Sequence, residues 1–240
     1  MPNSQIKKDW NTLKMGIPTT IAIDGPAASG KSTLGALLAK ELGYLYFDTG
    51  VMYRAVTLAA LESGVDISDE VGVGKLAQEV KIDVRPASLA DGRDNDVVLD
   101  GKDVTWAIRS DAVNRYVSPV SAYRVVREAM TTQQRRIAQG NRVIMVGRDI
   151  GTVVLPEADL KIFLDASVDV RAHRRYQEML ERGIDADYDG VRRSVMNRDQ
   201  IDSNREIAPL KPADDAVVIN SDCLGISQVL EKAKEFLKDV

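Results

Sequence analysis

Gly25-Pro26-Ala27-Ala28-Ser29-Gly30-Lys31-Ser32 has the spacing G-x-x-x-x-G-K-S/T. A glycine-rich turn of this kind wraps an anion with backbone N–H groups, and the helix that follows adds its positive end. Lys31 is expected to reach the β- and γ-phosphates of ATP, and the Ser32 hydroxyl to hold the accompanying Mg²⁺. Gly25, Pro26, Ala27, Ala28, Ser29, Gly30, Lys31, Ser32 and Thr33 are therefore the expected ATP-binding residues. A second group lies far down the chain. Between Arg171 and Arg205 stand eight arginines, seven carboxylates and no lysine. Arginine grips phosphate oxygens with a planar fork and stays charged, which suits a transfer reaction that needs mainly positioning and charge stabilisation. Lys31, Arg174, Arg198 and Arg205 are the expected catalytic set, whereas Arg192 and Arg193 read as solvated ion-pair formers. Arg54 follows Asp48-Thr49-Gly50, and Arg148 sits in Gly147-Arg148-Asp149. Two arginines beside a triphosphate cradle imply a second anionic substrate.

These groups need elements to hold them. Thr19–Asp24 is an apolar run entering the glycine turn, as a buried parallel strand would. A helix is expected over Ser32–Leu42, with Leu34, Leu37, Leu38 and Leu42 on one face and Gly43 as its stop. Tyr44–Phe47 reads as a second strand and Val51–Glu62 as a second helix. Arg142–Val146, Leu160–Leu164 and Ala216–Ile219 complete five core strands, and Ile226–Lys238 is an amphipathic closing helix. The pattern predicts an α/β fold, a five-stranded parallel sheet flanked by helices. Lys81–Arg85 and Asp96–Asp100 alternate at period two and predict a small hairpin, followed by one charged helix over Ser121–Gln139. The expected division is a polar extension over 1–18 and one domain over 19–240. Within the domain, 19–64, 140–170 and 206–240 form the core, 65–139 an insert, and 171–205 a mobile lid.

The 240 residues carry a net charge of −4, with 44% hydrophobic and 28% charged residues. That balance disfavours a nucleic-acid partner, which calls for a basic surface. No apolar run approaches the roughly 18 residues of a membrane span, and the first residues lack the apolar segment of a secretory signal. The lone Cys223 points to a reducing, cytoplasmic setting. His173, flanked by arginines, is expected on the lid surface rather than in proton transfer.

The chain resembles the bacterial-type cytidylate kinases of the nucleoside monophosphate kinase superfamily, the P-loop kinases. The resemblance is carried by Ile23 through Thr33, Asp48-Thr49-Gly50 with Tyr53-Arg54, Val117-Ser118, Val126-Arg127-Glu128 and Gly147 through Val154. Lys161 through Ala166, and Arg198-Asp199 through Arg205 with Ala208-Pro209-Leu210, extend it. It implies a monomeric enzyme that moves the ATP γ-phosphoryl group to CMP or dCMP, with an insert that binds the monophosphate and a lid that closes over both substrates. It also implies that Ser118, Arg127 and Asp149 face the cytosine ring, and that Arg198 and Asp202 lie near the sugar. Arg54 and Arg148 hold the acceptor phosphate, Arg205 closes the pocket, and Thr49 supplies a hydroxyl where the family commonly has serine. The chemistry of the base agrees. Cytosine offers an N4 amine that a carboxylate such as Asp149 accepts, where uracil offers a carbonyl, and Arg127 and Ser118 can donate to ring O2 and N3. Two other readings share the glycine turn: a kinase of UMP, AMP or a non-nucleotide acceptor such as shikimate, and a silent nucleotide-binding regulator.

Overall fold

The computed structural model describes residues 18–238. The polar extension expected over 1–18 falls outside them apart from Pro18, which is buried and whose carbonyl accepts a 2.7 Å hydrogen bond from the Tyr44 hydroxyl.

The chain begins with strand β1 (Thr20–Asp24), helix α1 (Lys31–Leu42), strand β2 (Leu45–Asp48) and helix α2 (Gly50–Ser63). After an intervening segment come β6 (Val143–Gly147), β7 (Leu160–Asp165), α6 (Val168–Glu181), α7 (Tyr188–Asn204), β8 (Val217–Asn220) and α8 (Ile226–Glu235). The core sheet has order β2-β6-β1-β7-β8 and every pair in it is parallel. Its central strands are buried on both faces, which is why they read as continuous apolar runs. Ile21 and Ile23 pack with Leu34, Leu38 and Val229 on one side, while Ala22 and Met145 pack with Met52 and Val56 on the other. Each face therefore has its own core.

The intervening segment holds α3 (Glu70–Glu79), a three-stranded antiparallel sheet of β3 (Ile82–Pro86), β4 (Asn95–Leu99) and β5 (Lys102–Asp103), then α4 (Asp111–Val120) and α5 (Arg124–Ala138). The expected hairpin is present, with Val84 opposite Val97. The helix expected over Ser121–Gln139 is present as α5, starting three residues later because the chain turns at Ser121–Tyr123; α4, which precedes that turn, was not expected. Asp69 caps α3 by accepting from Gly72 N, and Ser110 caps α4 by accepting from Val113 N, so both starts carry local signals. Val73, Ile82, Val97, Val113 and Met130 of this segment share one hydrophobic core with α2 and the sheet, so it packs on the core rather than standing apart. The expected lid segment is the antiparallel pair α6 and α7, joined by a short loop.

Candidate active site

β1, β2, β6 and β7 all end on the same side of the sheet, and their C-terminal ends carry the site, as open parallel sheets dictate. After β1 the chain turns at Gly25, whose φ is +151°; a Cβ there would lie 2.1 Å from the Leu164 carbonyl oxygen. Only glycine fits. Ala28 holds φ +59° and Gly30 +95°, left-handed positions of the kind that let successive backbone N–H groups form an anion-binding nest. α1 then starts with Lys31, with no side-chain cap and no acidic residue in its first turn. Those are the conditions under which a helix N-terminus accepts an anion.

Lys31 is buried, and its ammonium donates to the Pro26 carbonyl at 2.7 Å. Burial, then the positive charge of Arg148, hold its pKa well below the ordinary lysine value. The Ser32 hydroxyl donates to Asp48 Oδ2 at 2.8 Å, so a hydroxyl and a carboxylate stand together at the mouth of the cradle. Asp24, at the end of β1, accepts from Ile150 N at 2.8 Å and Gly151 N at 2.7 Å, fastening the Gly147–Val154 loop beneath the glycine turn. Burial raises its pKa to about 6 against the lowering effect of those two bonds. Gly147 allows that loop to approach, since a Cβ there would lie 2.6 Å from Ile150 and 2.7 Å from Thr49.

Opposite the cradle the arginines interlock with aspartates. Arg148 donates to Asp202 at 2.8 Å, Arg127 to Asp149 at 2.5 Å, and Arg205 lies 3.5 Å from Asp149 and 3.8 Å from Asp202. Burial pushes Asp202 up, but Arg148 and Arg198 outweigh it and leave its carboxyl below the ordinary value. Arg127 also donates to the Ser121 carbonyl at 2.9 Å, and its guanidinium lies over the Tyr53 ring, 5.3 Å from the centroid. Arg54 reaches from α2 into the insert, donating to Asn114 Oδ1 at 2.6 Å and to the Ile108 carbonyl at 3.2 Å. Arg198 differs from its neighbours: among the described residues no acceptor meets it, and its Nε is buried without a partner. Burial and then the charge of Arg148, with Arg54 and Arg175 adding less, bring its pKa down to about 10 against the raising charge of Asp202.

The fold therefore brings Lys31, Arg54, Arg148 and Arg198 around one space, and it places Arg127, Asp149, Asp202 and Arg205 in one ion-pair lattice beside it. Other expected residues stand differently. The Thr49 hydroxyl is buried and donates to the Val146 carbonyl at 3.0 Å. Ser118 is half-buried on α4, its carbonyl accepting from the Ser121 hydroxyl. Arg174, expected to be catalytic, braces the cradle from outside: it donates to the Ser221 carbonyl at 2.7 Å, to the Ser221 hydroxyl at 3.1 Å and to the Ser29 carbonyl at 3.4 Å. Its helical neighbour Arg175 is the one whose charge acts on Arg54 and Arg198. Arg171 braces the lid, clasping Asp199 through both terminal nitrogens at 2.9 and 2.6 Å and reaching the Ala27 carbonyl at 3.2 Å. Arg192 and Arg193 make exposed ion pairs with Asp169 and Asp187, and His173 is exposed, as expected.

Sequence reasoning passed over Asp24, Asp48, Arg175 and Ser221 as site residues. The first two had a signal, each being a lone carboxylate that closes an apolar strand within two residues of a glycine. Ser221 had none, because only the packing of β8 against β7 sets it beside the glycine turn.

Comparison with known proteins identifies the family. The sequence model of the family described as "Cytidylate kinase" matches residues 21–239. The cytidylate kinase of Chloroflexus aggregans is 52% identical over 210 residues, covering 88% of this chain and 90% of that protein. That of Herpetosiphon aurantiacus is 50% identical over 217 residues, covering 90% and 93%. A crystal structure of an uncharacterized protein from Eubacterium ventriosum superimposes with a TM-score of 0.50 at 10% identity, covering 92% of this chain and 99% of that one, a likeness of fold alone. With a family match that runs from β1 to beyond α8, the chain belongs to the cytidylate kinase family.

Proposed function

We infer that this enzyme transfers the γ-phosphoryl group of ATP to CMP or dCMP, giving ADP and the corresponding diphosphate. The observation that carries the reading is Arg198, a guanidinium without an acceptor held among Arg54, Arg148 and Arg175. Like charges gathered in a partly buried space are unfavourable until an anion joins them. This cradle on one side and these arginines on the other suit two phosphate tails meeting end to end.

The glycine turn and the α1 N-terminus would hold the donor phosphates, and Lys31 would hold the β- and γ-oxygens. Bound phosphates would restore the Lys31 charge that burial disfavours. The Ser32 hydroxyl and Asp48 carboxylate are hard oxygen donors, and together they suit Mg²⁺ held mainly through phosphates. Magnesium, bound with ATP, would supply neutralisation of the β- and γ-phosphate charge. Arg54, Arg148 and Arg198 would hold the acceptor phosphate, with Asp202 giving up Arg148 to it and turning to the sugar. Asp149 would accept from the cytosine N4 amine while Arg127 and Ser118 donate to the ring, and Arg205 would close the pocket. No general base is required, since the acceptor phosphate, with a second pKa of about 6, is largely a dianion at neutral pH. Catalysis then consists of alignment and charge stabilisation. Arg174 serves here as a brace of the cradle, and Arg175 as the nearer charge on the lid. A monomer in a reducing cytoplasm, with no nucleic-acid partner, completes the reading.

The test is product formation from ATP with CMP, dCMP, UMP and AMP, followed by chromatography. CMP is expected to be turned over best, and UMP or AMP outpacing it would overturn the assignment. Asp149→Asn is expected to lower the CMP-over-UMP ratio of kcat/KM by at least about tenfold, because a pocket built to pair a polar group rejects partners that leave it unpaired. An unchanged ratio would show that Asp149 does not read the base.

A further inference from the structure

Ile150–Val154, directly after Arg148 and Asp149, is wound more widely than an α-helix. Val154 N donates to the Asp149 carbonyl at 3.1 Å and Leu155 N to the Ile150 carbonyl at 2.7 Å, each reaching five residues back. Wide turns of this kind are rare and collect at functional sites, and one so short leaves several backbone groups to find partners elsewhere. Charged side chains meet them at both ends. At the start Asp24 accepts from the Ile150 and Gly151 N–H groups. At the other end Arg135 of α5 donates from Nε to the Val154 carbonyl at 2.9 Å and from Nη2 to the Val153 carbonyl at 2.7 Å. Although Arg135 is exposed, its planar fork lies on these two adjacent carbonyls, and two bonds from one rigid group fix the direction of both. The N–H groups of the same two valines converge on the Asp149 carbonyl, at 2.9 and 3.1 Å. Asp149 is therefore held twice from one helix. Arg127 bonds its carboxylate, and Arg135, about two turns further along α5, holds the residues that bond its main chain.

We propose that Arg135 is a positioning residue for base recognition: it locks the Ile150–Val154 turn against α5 and so fixes the main chain from which Asp149 reaches the base. Arg127 restrains only the far end of the Asp149 side chain, at Oδ2. The near end goes where the backbone goes. Were the turn to loosen, the carboxylate could follow Arg127 and keep that pair, but its other oxygen would lose its aim, and a hydrogen bond weakens steeply as its angle closes. The Asp24 bonds alone do not prevent this, because they hold the start of the turn and leave its Val153 and Val154 end free to swing. Lys31 and Arg198 stand on α1 and α7, which Arg135 does not bond. The effect therefore falls on acceptor affinity and base choice more than on turnover. This inference rests on the reading of Asp149 as the group that accepts from the cytosine amine.

The experiment compares Arg135→Met, Arg136→Met, Asp149→Asn and the Arg135→Met/Asp149→Asn double variant, measuring thermal melting and steady-state kinetics with CMP and UMP. Arg135→Met is expected to melt no more than about 4 °C lower than the wild type, since water can take the two carbonyls it frees. It should raise KM for CMP by about fivefold with a smaller change in kcat, and lower the CMP-over-UMP ratio of kcat/KM by about fivefold. The double variant should have a ratio no lower than Asp149→Asn alone, because both act along one path. Arg136, the next residue on α5, donates to the Ile82 carbonyl and Asp83 within the insert, so Arg136→Met should leave the ratio unchanged. A folded Arg135→Met with unchanged KM and ratio, while Asp149→Asn lowers the ratio, overturns the proposal and leaves base reading intact. An equal fall in Arg136→Met, or a double variant that falls by the product of the two single effects, overturns it as well. If Asp149→Asn leaves the ratio unchanged, base reading itself fails and this proposal with it. Should Arg135→Met not fold, Arg135→Gln decides: an unchanged ratio overturns the proposal, and a lowered ratio with an intact melt supports it.

Discussion

On the donor side of the site the grip is made of backbone. Gly25 to Ser32 are contiguous, their positive-φ positions curl one loop, and the only charged side chain among them is Lys31. On the acceptor side every group is a side chain, and the partners lie far apart in sequence. Arg148 and Asp202 are 54 residues apart, and Arg127 and Asp149 are 22 apart. The donor cradle needs no counter-charge, because backbone N–H groups carry only partial charges. The acceptor arginines carry whole charges, and when partly buried they must be paired or hold their charge less firmly. Aspartates pair most of them in advance, so on the proposed reading acceptor binding would exchange one anion for another. Arg198 is left over: among the described residues no acceptor meets its guanidinium.

That contrast can be broken by substitution. The largest effect is expected from Lys31→Ala, which removes the one whole charge of the donor side: kcat should fall by about 10³-fold with a smaller change in KM for CMP. Steady-state kinetics check it, and a comparable loss in CMP affinity would mean that the two sides do not act separately. Next come two lid arginines with opposite signatures. Arg198→Ala should cost about 10²-fold in kcat while leaving the melting temperature unchanged or higher, since it relieves repulsion and strands no partner. Arg171→Ala should instead destabilise the fold by about 3 kcal/mol, because it leaves Asp199 without its two-pronged partner. Calorimetry alongside kinetics separates them, and equal melting losses would remove the distinction between a paired and an unpaired arginine.

Asp24 gives a smaller, pH-dependent effect. Its folded pKa of about 6 lies above the ordinary 3.8, so between those values the folded state binds the extra proton. The contribution of Asp24 to stability is therefore largest at low pH, falls as pH rises from about 4 to 6, and is level above that. The stability margin of wild type over Asp24→Asn should narrow across that window by at most about 3 kcal/mol, measured by denaturant melts at several pH values. A margin that widens with pH would reverse the sign of the shift. Arg193→Ala, which breaks only an exposed 3.6 Å pair with Asp187, should change stability by less than about 0.5 kcal/mol and leave turnover unaltered. A clear loss of activity there would extend the acceptor site beyond the residues described.

How much of this was legible differs along the same line. The five parallel strands were readable because burial on both faces demands unbroken apolar runs, and the glycine turn because its function needs particular residues at contiguous positions. The insert was readable only in part. Its hairpin alternates at period two and its charged helix α5 was expected, but α4 was missed, since Pro119 within it reads as a helix breaker. Arg54, Arg127, Arg148 and Asp149 were found as residues because each sits beside a recognisable motif. Their pairings were not, since Arg54 meets Asn114 and Arg148 meets Asp202 only when α4 and α7 are packed against the core.

By itself the amino-acid sequence determined the strands, the phosphate cradle and the kind of charge that must face it, since these depend on local periodicity and on backbone freedom at single residues. Only the tertiary structure decided what each arginine meets. Arg174 and Arg175 are adjacent and chemically identical, yet helix geometry turns one toward Ser221 and the cradle's outer wall, while the other pairs with Glu178 within the field of Arg54 and Arg198. A residue's type states what it can bind. Which partner it meets follows from how distant elements pack.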